Sequence, residues 1–333
     1  MEYKVNQASG ILLNANEASY NLDRDILMDI QNEMNKLSFN RYPDTTCKEL
    51  HEAYGKWLGI DSSWILSGNG SDQMIGYLIQ KYLGPGKNLY TLSPDFSMYD
   101  YYAQAYRSNV IKFKTKEDGS FLVDEFIEYG KENHVDMVLF SNPNNPTGHA
   151  LSKIEMIQIA QAFPSIPVVF DEAYMEFCEE SALDLLSEYP NIFVLRTLSK
   201  AYGLAGIRCG FLISSNVPKL SGGFVPYALS TLTQTVACVV LKYANRYSQR
   251  IKDIKSERER IYSILSVYKK LVVYPSNANF IYGKSRQKTH MLEMLKSAGI
   301  VIRNYEDDSF RITISNKEEN DLLLNVLKTF EEE

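Results

Sequence analysis

Short apolar runs alternate with longer segments of mixed polarity through the middle of this chain. Because the strands of a parallel sheet are covered on both faces, uniformly apolar runs predict buried strands. Such runs lie at Asn88–Leu92, Val110–Phe113, Val135–Ser141, Pro167–Phe170, Ile192–Leu195 and Cys209–Ile213. The mixed segments Lys153–Phe163 and Ser181–Tyr189 predict helices between them. This alternation indicates an α/β layer with a mainly parallel sheet.

The pattern changes after about residue 235, where Gln234–Val267 predicts one long, polar helix. Further strands are predicted at Leu271–Tyr274, Asn279–Tyr282, Ile300–Arg303 and Phe310–Ile314, with helices at Thr289–Ala298 and from Lys317. This mixture predicts a second, smaller α+β domain. We therefore expect a large domain over residues 31–235 and a small C-terminal domain over 236–333. Residues 1–30 are expected to form an arm that packs on the small domain or on a partner subunit.

Composition narrows the class of protein. The chain has 333 residues and a net charge of −6, which disfavours nucleic acid as its main partner. No signal peptide is visible, and no stretch reaches the ~20 apolar residues that a membrane helix needs. The four cysteines are dispersed and form no Cys-x-x-Cys pair, so we expect reduced thiols, no metal site and a cytoplasmic protein.

Polar motifs follow several of the predicted strands. In a parallel α/β sheet, ligands bind outside the carboxyl ends of the strands. Three strands are followed by Asn142–Gly148, Asp171–Tyr174 and Arg196–Lys200, while Gly206–Arg208 precedes another strand and Gly68–Asp72 opens a predicted helix. Taken singly, each motif has an ordinary interpretation as a turn, a helix cap or a solvated charge. Their convergence on one edge of the sheet instead predicts a single binding site.

The residue types in these motifs match the needs of pyridoxal 5'-phosphate. Its aldehyde requires an amine, and Lys200 is placed to hold it as a Schiff base. Its pyridine nitrogen requires a carboxylate that keeps it protonated, and Asp171 is the candidate. Asn145 and Tyr174 are suitable partners for its 3-hydroxyl group. We expect Lys200, Asp171 and Tyr174 to be the catalytic residues.

The cofactor's phosphate requires a helix N-terminus, hydroxyl groups and a cation. Gly70, Ser71 and Asp72 open a predicted helix. The remaining candidates are two hydroxyl residues and a guanidinium, namely Thr197, Ser199 and Arg208. These six residues are therefore predicted to bind the cofactor as well.

The chain resembles the histidinol-phosphate aminotransferases. The resemblance runs from residue 13 to residue 314 and rests on Leu13–Glu17, Arg41–Pro43, Asn142–Gly148, Asp171–Tyr174, Thr197–Lys200 with Arg208, and Phe310–Thr313. It implies the aspartate-aminotransferase-like fold type I, with a mainly parallel seven-stranded sheet in the large domain and a smaller α+β domain. It also implies a homodimer with shared active sites, and amino transfer between histidinol phosphate and 2-oxoglutarate or glutamate in histidine biosynthesis.

The same resemblance implies further site residues. Phe96 matches the aromatic residue that stacks on the pyridine ring, and Tyr42 matches the tyrosine that reaches the cofactor phosphate of the neighbouring subunit. Arg311 matches the arginine that binds the substrate α-carboxylate, beside Asn145. Arg303 lies near the arginine that helps to recognise the phosphate of histidinol phosphate.

Two features depart from the family pattern. The connection from Arg303 to Arg311 is short and contains three acidic residues, which repel a phosphorylated substrate. The N-terminal arm, which supplies a pocket aromatic in the family, is brief and offers Tyr3 or Tyr20.

Other functions remain open within the same fold: an aromatic or other amino-acid aminotransferase, or a threonine-phosphate decarboxylase. A non-catalytic pyridoxal-phosphate sensor is disfavoured, because the residues before Leu13 contain no helix-turn-helix pattern. A nucleotide-binding dehydrogenase is disfavoured because Gly68–Gln73 lacks the third glycine of the dinucleotide fingerprint.

Overall fold

A computed structural model describes residues 9–220 and 222–333. Within these residues the strands are β1 (Ile11–Leu13), β2 (Ile65–Asn69), β3 (Asn88–Ser93), β4 (Asn109–Lys114), β5 (Met137–Ser141), β6 (Val168–Asp171), β7 (Ile192–Thr197), β8 (Cys209–Ile213), β9 (Val272–Val273), β10 (Phe280–Lys284), β11 (Ile300–Asn304) and β12 (Ser309–Thr313). The α-helices are α1 (Arg24–Met34), α2 (Lys48–Leu58), α3 (Gly70–Tyr82), α4 (Met98–Ala105), α5 (Val123–Glu132), α6 (Lys153–Ala162), α7 (Thr231–Lys242), α8 (Ala244–Leu265), α9 (Lys288–Ser297) and α10 (Lys317–Glu332).

The larger sheet has seven strands in the order β2-β8-β7-β6-β5-β3-β4. All neighbouring pairs from β7 to β4 are parallel, whereas β8 is antiparallel to both β7 and β2. The central strands β5 to β8 are buried along their whole length, as their apolar sequences require. The prediction of an α/β fold with a mainly parallel seven-stranded sheet is confirmed.

The smaller sheet has five strands in the order β1-β11-β12-β10-β9. Strand β1 comes from the N-terminal arm and pairs in parallel with β11, so the two ends of the chain share this sheet. Helices α8, α9 and α10 cover it and form a separate core with its strands around Leu265, Leu295 and Phe310. Helix α7 packs instead on α1 and α2.

Two predicted helices differ in the structure. Ser181–Tyr189 forms only a single 3-10 turn at Ala182–Leu185, because the buried carboxylate of Glu172 accepts hydrogen bonds from the Ser181 hydroxyl and the Ala182 amide. The segment Gln234–Val267 is divided at Tyr243 into α7 and α8. The tyrosine lies at this break and donates a hydrogen bond to Asp29, which ties the break to α1.

One strand of the larger sheet was not predicted. Strand β2 contains a serine, a glycine and an asparagine, so its sequence is typical of a turn. It is nevertheless held in the sheet by continuous antiparallel pairing with β8, from Ile65 with Ile213 to Asn69 with Cys209. Long-range pairing therefore overrides the local preference of this segment.

Candidate active site

The side chains predicted to carry chemistry gather at the carboxyl ends of β5, β6 and β7. Asn145 follows β5, Asp171 ends β6, and Lys200 follows β7. These three strands are adjacent and parallel, so their carboxyl ends meet at one edge of the sheet. This is where ligands bind in open α/β sheets.

The Lys200 amine lies at the centre of this edge. Its Nζ atom donates a 2.9 Å hydrogen bond to the backbone oxygen of Ala15 and lies 5.9 Å from the centre of the Tyr174 ring. Burial, reinforced by the positive charge of Arg311, lowers the pKa of Lys200 to about 8. A larger fraction of this amine is therefore uncharged near neutral pH than of an ordinary lysine, which makes it a better nucleophile and proton acceptor.

Asp171 is buried under the same edge. Burial raises the pKa of this carboxyl to about 7, and a hydrogen bond from Tyr99 opposes the shift. The Tyr99 hydroxyl donates to Oδ2 at 2.9 Å, while Oδ1 accepts from the Ala173 amide at 3.3 Å. A cation beside Asp171, such as a protonated pyridine nitrogen, would stabilise its charged form. No sequence motif points to Tyr99, which lies on α4, far from Asp171 in sequence.

The start of α3 and the residue Arg208 form a second corner of the site. The guanidinium of Arg208 pairs with Asp72 at 2.6 Å, and its backbone oxygen accepts from the Gly70 amide at 3.0 Å. A Cβ atom on Gly70 would lie 2.4 Å from Arg208 Nη2. On Gly210, a residue that the motif analysis did not select, a Cβ atom would lie 2.1 Å from the Ser71 amide nitrogen. Gly70 also has a φ angle of 76°, in the left-handed region, so glycine is favoured at both positions.

Two hydroxyl residues lie between this corner and Lys200. Thr197 Oγ1 donates to the Ser199 hydroxyl at 2.9 Å and accepts from the Ser199 amide at 3.1 Å. Both residues are buried. The helix start, the hydroxyl pair and the Arg208 guanidinium thus provide the donors that a phosphate group requires.

Arg311 approaches the site from β12 of the smaller sheet. One of its terminal nitrogens donates to the Asn145 side chain and the other to the backbone oxygen of Asn14 at 2.9 Å. Its Nε atom is buried and has no hydrogen-bond partner among the described residues. A buried guanidinium nitrogen without a partner is costly, so this atom suits an anionic ligand.

Arg303 lies opposite Arg311 in the antiparallel pair of β11 and β12. Directly opposite residues share one face of a sheet, so both arginines project towards the same side. Arg303 is exposed, and its guanidinium lies 5.9 Å from the centre of the Tyr305 ring. Arg311 pairs on its other side with Tyr282 of β10. The rings of Tyr282 and Tyr305 meet edge to face, with their centres 6.3 Å apart. These tyrosines were not predicted.

The acidic connection between β11 and β12 is tied back to α9. The Lys288 amine donates to three backbone oxygens of this connection, those of Tyr305, Asp307 and Ser309. The Asp307 carboxylate in turn accepts from the Ser309 amide and hydroxyl, and these hydrogen bonds lower its pKa despite partial burial. The lysine thus compensates part of the negative charge that the sequence places beside Arg303.

The predicted aromatic residues occupy different settings. Phe96 is partly buried and packs edge to face on Tyr99 at 5.7 Å, so it lies close to Asp171. Tyr42 is 83% exposed and stacks on Tyr227. Tyr20 donates to the backbone oxygen of Ala201 and carries the Arg250 guanidinium on its ring. Tyr3 lies outside the described residues.

Tyr174 is a buried phenol that lies directly before the 3-10 turn Met175–Phe177, after β6. Its ring packs edge to face on Phe280, and its hydroxyl accepts a 2.9 Å hydrogen bond from Asn16. Burial raises its pKa, which keeps the phenol protonated and able to donate at neutral pH. The amine, carboxylate, phenol, amide and anion corner fit pyridoxal 5'-phosphate.

Membrane-spanning helices and metal-binding clusters are both absent from the described residues. Within residues 9–220 and 222–333, no helix has both the length and the apolar character required to cross a bilayer. The same residues contain no cluster of three or more histidine, cysteine or acidic side chains suited to a metal ion.

Known proteins resemble this chain along most of its length. The family "Aminotransferase class I and II" matches residues 8–327. A histidinol-phosphate aminotransferase of Clostridium kluyveri is 36% identical over 95% of this chain and 92% of its own length. Another from Pyrococcus furiosus is 37% identical, with 97% of this chain and 93% of its own length covered.

Solved structures agree on the fold. The histidinol-phosphate aminotransferase from Sinorhizobium meliloti, crystallised with pyridoxal-5'-phosphate, superposes with a TM-score of 0.86. It is 23% identical and covers 96% of this chain and 91% of its own. The predicted aminotransferase fold and the predicted family are confirmed: this chain belongs to the histidinol-phosphate aminotransferase family of the class I and II aminotransferases.

Proposed function

We propose that this aminotransferase uses pyridoxal 5'-phosphate to transfer an amino group between histidinol phosphate and 2-oxoglutarate, with glutamate as the other product or donor, in histidine biosynthesis. Relatives that are 36–37% identical over nearly the whole chain carry the name of this activity. The observation that carries the proposal is the facing pair Arg311 and Arg303, of which Arg311 lies close enough to Lys200 to lower its pKa. Two cations at one site suit substrates that bear a carboxylate or a phosphate.

Lys200, Asp171 and Tyr174 would hold the reactive part of the cofactor. Lys200 would bond to its aldehyde carbon, and the Asp171 carboxylate would stabilise its protonated ring nitrogen. Tyr174 and Asn145 would bind its 3-oxygen, and Phe96 would stack on the ring. When bound, the cofactor withdraws electrons from the substrate carbon that loses its proton.

The anion corner would hold the phosphate of the cofactor. Gly70 and Ser71 offer the amides of a helix start, where the macrodipole favours a negative charge. Thr197 and Ser199 offer hydroxyl groups, and Arg208 offers a guanidinium. Asp72 would act through Arg208, since its carboxylate fixes that guanidinium at 2.6 Å.

Lys200 would also move the proton. Once the substrate amine has replaced it, its uncharged Nζ atom would accept the proton from the substrate carbon and return it to the cofactor. The lowered pKa of about 8 suits both steps, because the amine can gain and lose a proton near neutral pH. The backbone oxygen of Ala15, 2.9 Å away, would hold the free amine in place.

Substrate anions would bind on the side of the smaller sheet. Arg311 would take the α-carboxylate of glutamate and 2-oxoglutarate through its free Nε atom, with Asn145 fixing the guanidinium. Histidinol phosphate has no carboxylate, so its phosphate would replace that anion. Arg303 would then contribute the second positive charge, with Tyr305 beside it.

We further propose a homodimer in the cytoplasm. Tyr42 is 83% exposed in the single chain, and exposed apolar side chains surround its part of the fold, including Phe39, Val225 and Tyr227. Such a surface suits a subunit interface. Tyr42 would reach the cofactor phosphate of the partner subunit, which would make dimerisation necessary for activity. Four unpaired cysteines suit a reducing compartment.

The test is the visible spectrum of the purified protein loaded with pyridoxal 5'-phosphate. Glutamate and, separately, histidinol phosphate should each convert the absorbance to that of the aminated cofactor. Conversion by glutamate alone would refute histidinol phosphate as the substrate, and release of carbon dioxide from threonine phosphate would favour the decarboxylase. Lys200→Ala should lose the covalent absorbance band, whereas the exposed control Lys56→Ala should retain it.

A further inference from the structure

The segment that follows β1 contacts three residues of the proposed site in succession. The Asn14 backbone oxygen accepts from Arg311, and the Ala15 backbone oxygen accepts from Lys200, each at 2.9 Å. The Asn16 side chain then donates from Nδ2 to the Tyr174 hydroxyl, also at 2.9 Å. The first two contacts use backbone atoms, so Asn16 is the position where the side chain matters.

Asn16 is fixed on every side. It is fully buried and has a φ angle of 56°, in the left-handed region that asparagine tolerates better than most residues. Its backbone amide donates to the Thr313 hydroxyl at 3.0 Å, and that hydroxyl donates back to Asn16 Oδ1 at 3.1 Å. Asn279 donates to its backbone oxygen at 3.1 Å. The engagement of Oδ1 by Thr313 directs Nδ2 towards Tyr174.

This orientation decides what the Tyr174 proton can do. An amide nitrogen donates and does not accept, so the phenol oxygen of Tyr174 accepts from Asn16 and keeps its own proton for another acceptor. A hydroxyl that accepts a hydrogen bond also becomes a stronger donor, because the two bonds polarise each other. The hydrogen bond from Asn16 therefore orients the Tyr174 hydroxyl and makes it a stronger donor.

We propose that Asn16 is a positioning residue, which directs the Tyr174 proton to the 3-oxygen of the cofactor. This inference rests on the proposed pyridoxal-phosphate site. A hydrogen bond to the 3-oxygen stabilises its ionised form and lowers the proton affinity of the imine nitrogen beside it. Loss of the Asn16 donor should therefore raise the pH at which the bound chromophore titrates.

The experiment is a pH titration of the visible absorbance of the loaded enzyme in the absence of substrate. Asn16→Gly keeps the left-handed backbone and adds no charge, while it removes the donor. We expect its titration midpoint to rise by about one pH unit, the shift that corresponds to one lost hydrogen bond of about 1.4 kcal/mol. In a Tyr174→Phe background, Asn16→Gly should leave the midpoint unchanged, because the hydroxyl through which it acts is gone.

Asn279→Ala is the matched control. It removes a hydrogen bond to the Asn16 backbone oxygen but leaves the Asn16 side chain, so its midpoint should stay at the wild-type value. An equal shift in Asn279→Ala and Asn16→Gly would overturn the proposal in favour of general loosening of the segment. So would a shift by Asn16→Gly that persists in the Tyr174→Phe background, or no shift at all.

A second variant serves if Asn16→Gly does not fold. Asn16→Asp is isosteric, tolerates the same backbone and replaces the donor by an acceptor that captures the Tyr174 proton. Its added charge raises the midpoint in either background, so the expected result is a larger shift with Tyr174 present than in the Tyr174→Phe background. Equal shifts would overturn the proposal. A wild-type protein that forms no visible band with pyridoxal 5'-phosphate would instead refute the proposed function.

Discussion

The Tyr99 hydroxyl donates a 2.9 Å hydrogen bond to Oδ2 of Asp171, and both side chains are buried. Tyr99 lies in the second position of α4, so this helix supports the carboxylate at the end of β6. The other oxygen of Asp171 has only a 3.3 Å contact with the Ala173 amide. The phenol therefore fixes the orientation in which Asp171 would meet the ring nitrogen of the cofactor.

Tyr99→Phe should weaken both cofactor binding and catalysis. The substitution leaves one buried carboxylate oxygen without its donor, a loss worth about 1–3 kcal/mol. We expect kcat/KM to fall by about tenfold and the Kd of pyridoxal 5'-phosphate to rise. Steady-state kinetics and cofactor titration would measure these effects. Tyr101→Phe, a change at a more exposed tyrosine of the same helix, should alter neither, and equal losses in the two variants would contradict a specific role for Tyr99.

Arg311→Lys should impair the use of glutamate and 2-oxoglutarate. Lysine cannot reproduce the planar guanidinium that contacts Asn145 and the Asn14 backbone while leaving Nε for a substrate. We expect KM for both substrates to rise by about 10- to 100-fold, with a smaller change in kcat. Half-reaction kinetics with each substrate would test this. Unchanged KM values would place the carboxylate elsewhere.

Arg303→Gln should raise KM for histidinol phosphate but not for glutamate. Its exposed guanidinium is proposed to assist only the phosphate of histidinol phosphate, so KM for that substrate should rise by about tenfold. KM for glutamate should stay near the wild-type value. Arg286→Gln, which removes another exposed arginine, in the turn after β10, is the control. A parallel rise for both substrates would show that Arg303 supports the fold or Arg311 instead.

The rate at which the cofactor-free protein takes up pyridoxal 5'-phosphate should depend on pH through Lys200. The uncharged amine is the nucleophile, and its pKa is lowered to about 8 by burial and by Arg311. The rate should therefore rise with pH below about 8 and level off above it. Stopped-flow absorbance would give the profile. In Arg311→Gln the midpoint of this pH profile should move upwards. A wild-type midpoint near the pKa of an ordinary lysine would contradict the proposed effect of burial and Arg311 on Lys200.

Tyr42 should act across the dimer. When Tyr42→Ala and Lys200→Ala chains are mixed and allowed to exchange subunits, a hybrid dimer has one site with both defects and one with neither. Activity should therefore return to about a quarter of the wild-type value, given random pairing in a two-fold dimer. Activity assays of the mixture, with each variant alone as a control, would test this. No recovery above the variants alone would indicate that Tyr42 serves its own subunit. A Tyr42→Ala chain that is fully active by itself would indicate that Tyr42 serves no site.

The sequence by itself predicted six of the seven strands of the larger sheet and the polar side chains at the carboxyl edge of its central strands. Uniformly apolar strands specify a sheet covered on both faces, and parallel strands bring their carboxyl ends together whatever the details of packing. Asn145, Asp171 and Lys200 therefore had to lie near one another. An amide, a carboxylate and an amine at one edge then restricted the ligands that this edge suits. Strand β2 was not predicted, because its residues favour a turn and are held in the sheet only by pairing with β8.

Only the tertiary structure decided which groups orient those residues. Tyr99 is 72 positions from Asp171, and Asn16 is 158 positions from Tyr174, so neither contact has a local signature in the sequence. The partners of Arg311 likewise depend on how the smaller sheet packs against the larger one. Apolar periodicity determines strands and helices over a few residues, whereas a hydrogen bond between buried groups depends on the relative position of whole elements to within a fraction of an ångström. For this protein, the sequence determined which candidate side chains meet at one edge of the sheet, and tertiary packing determined their orientation.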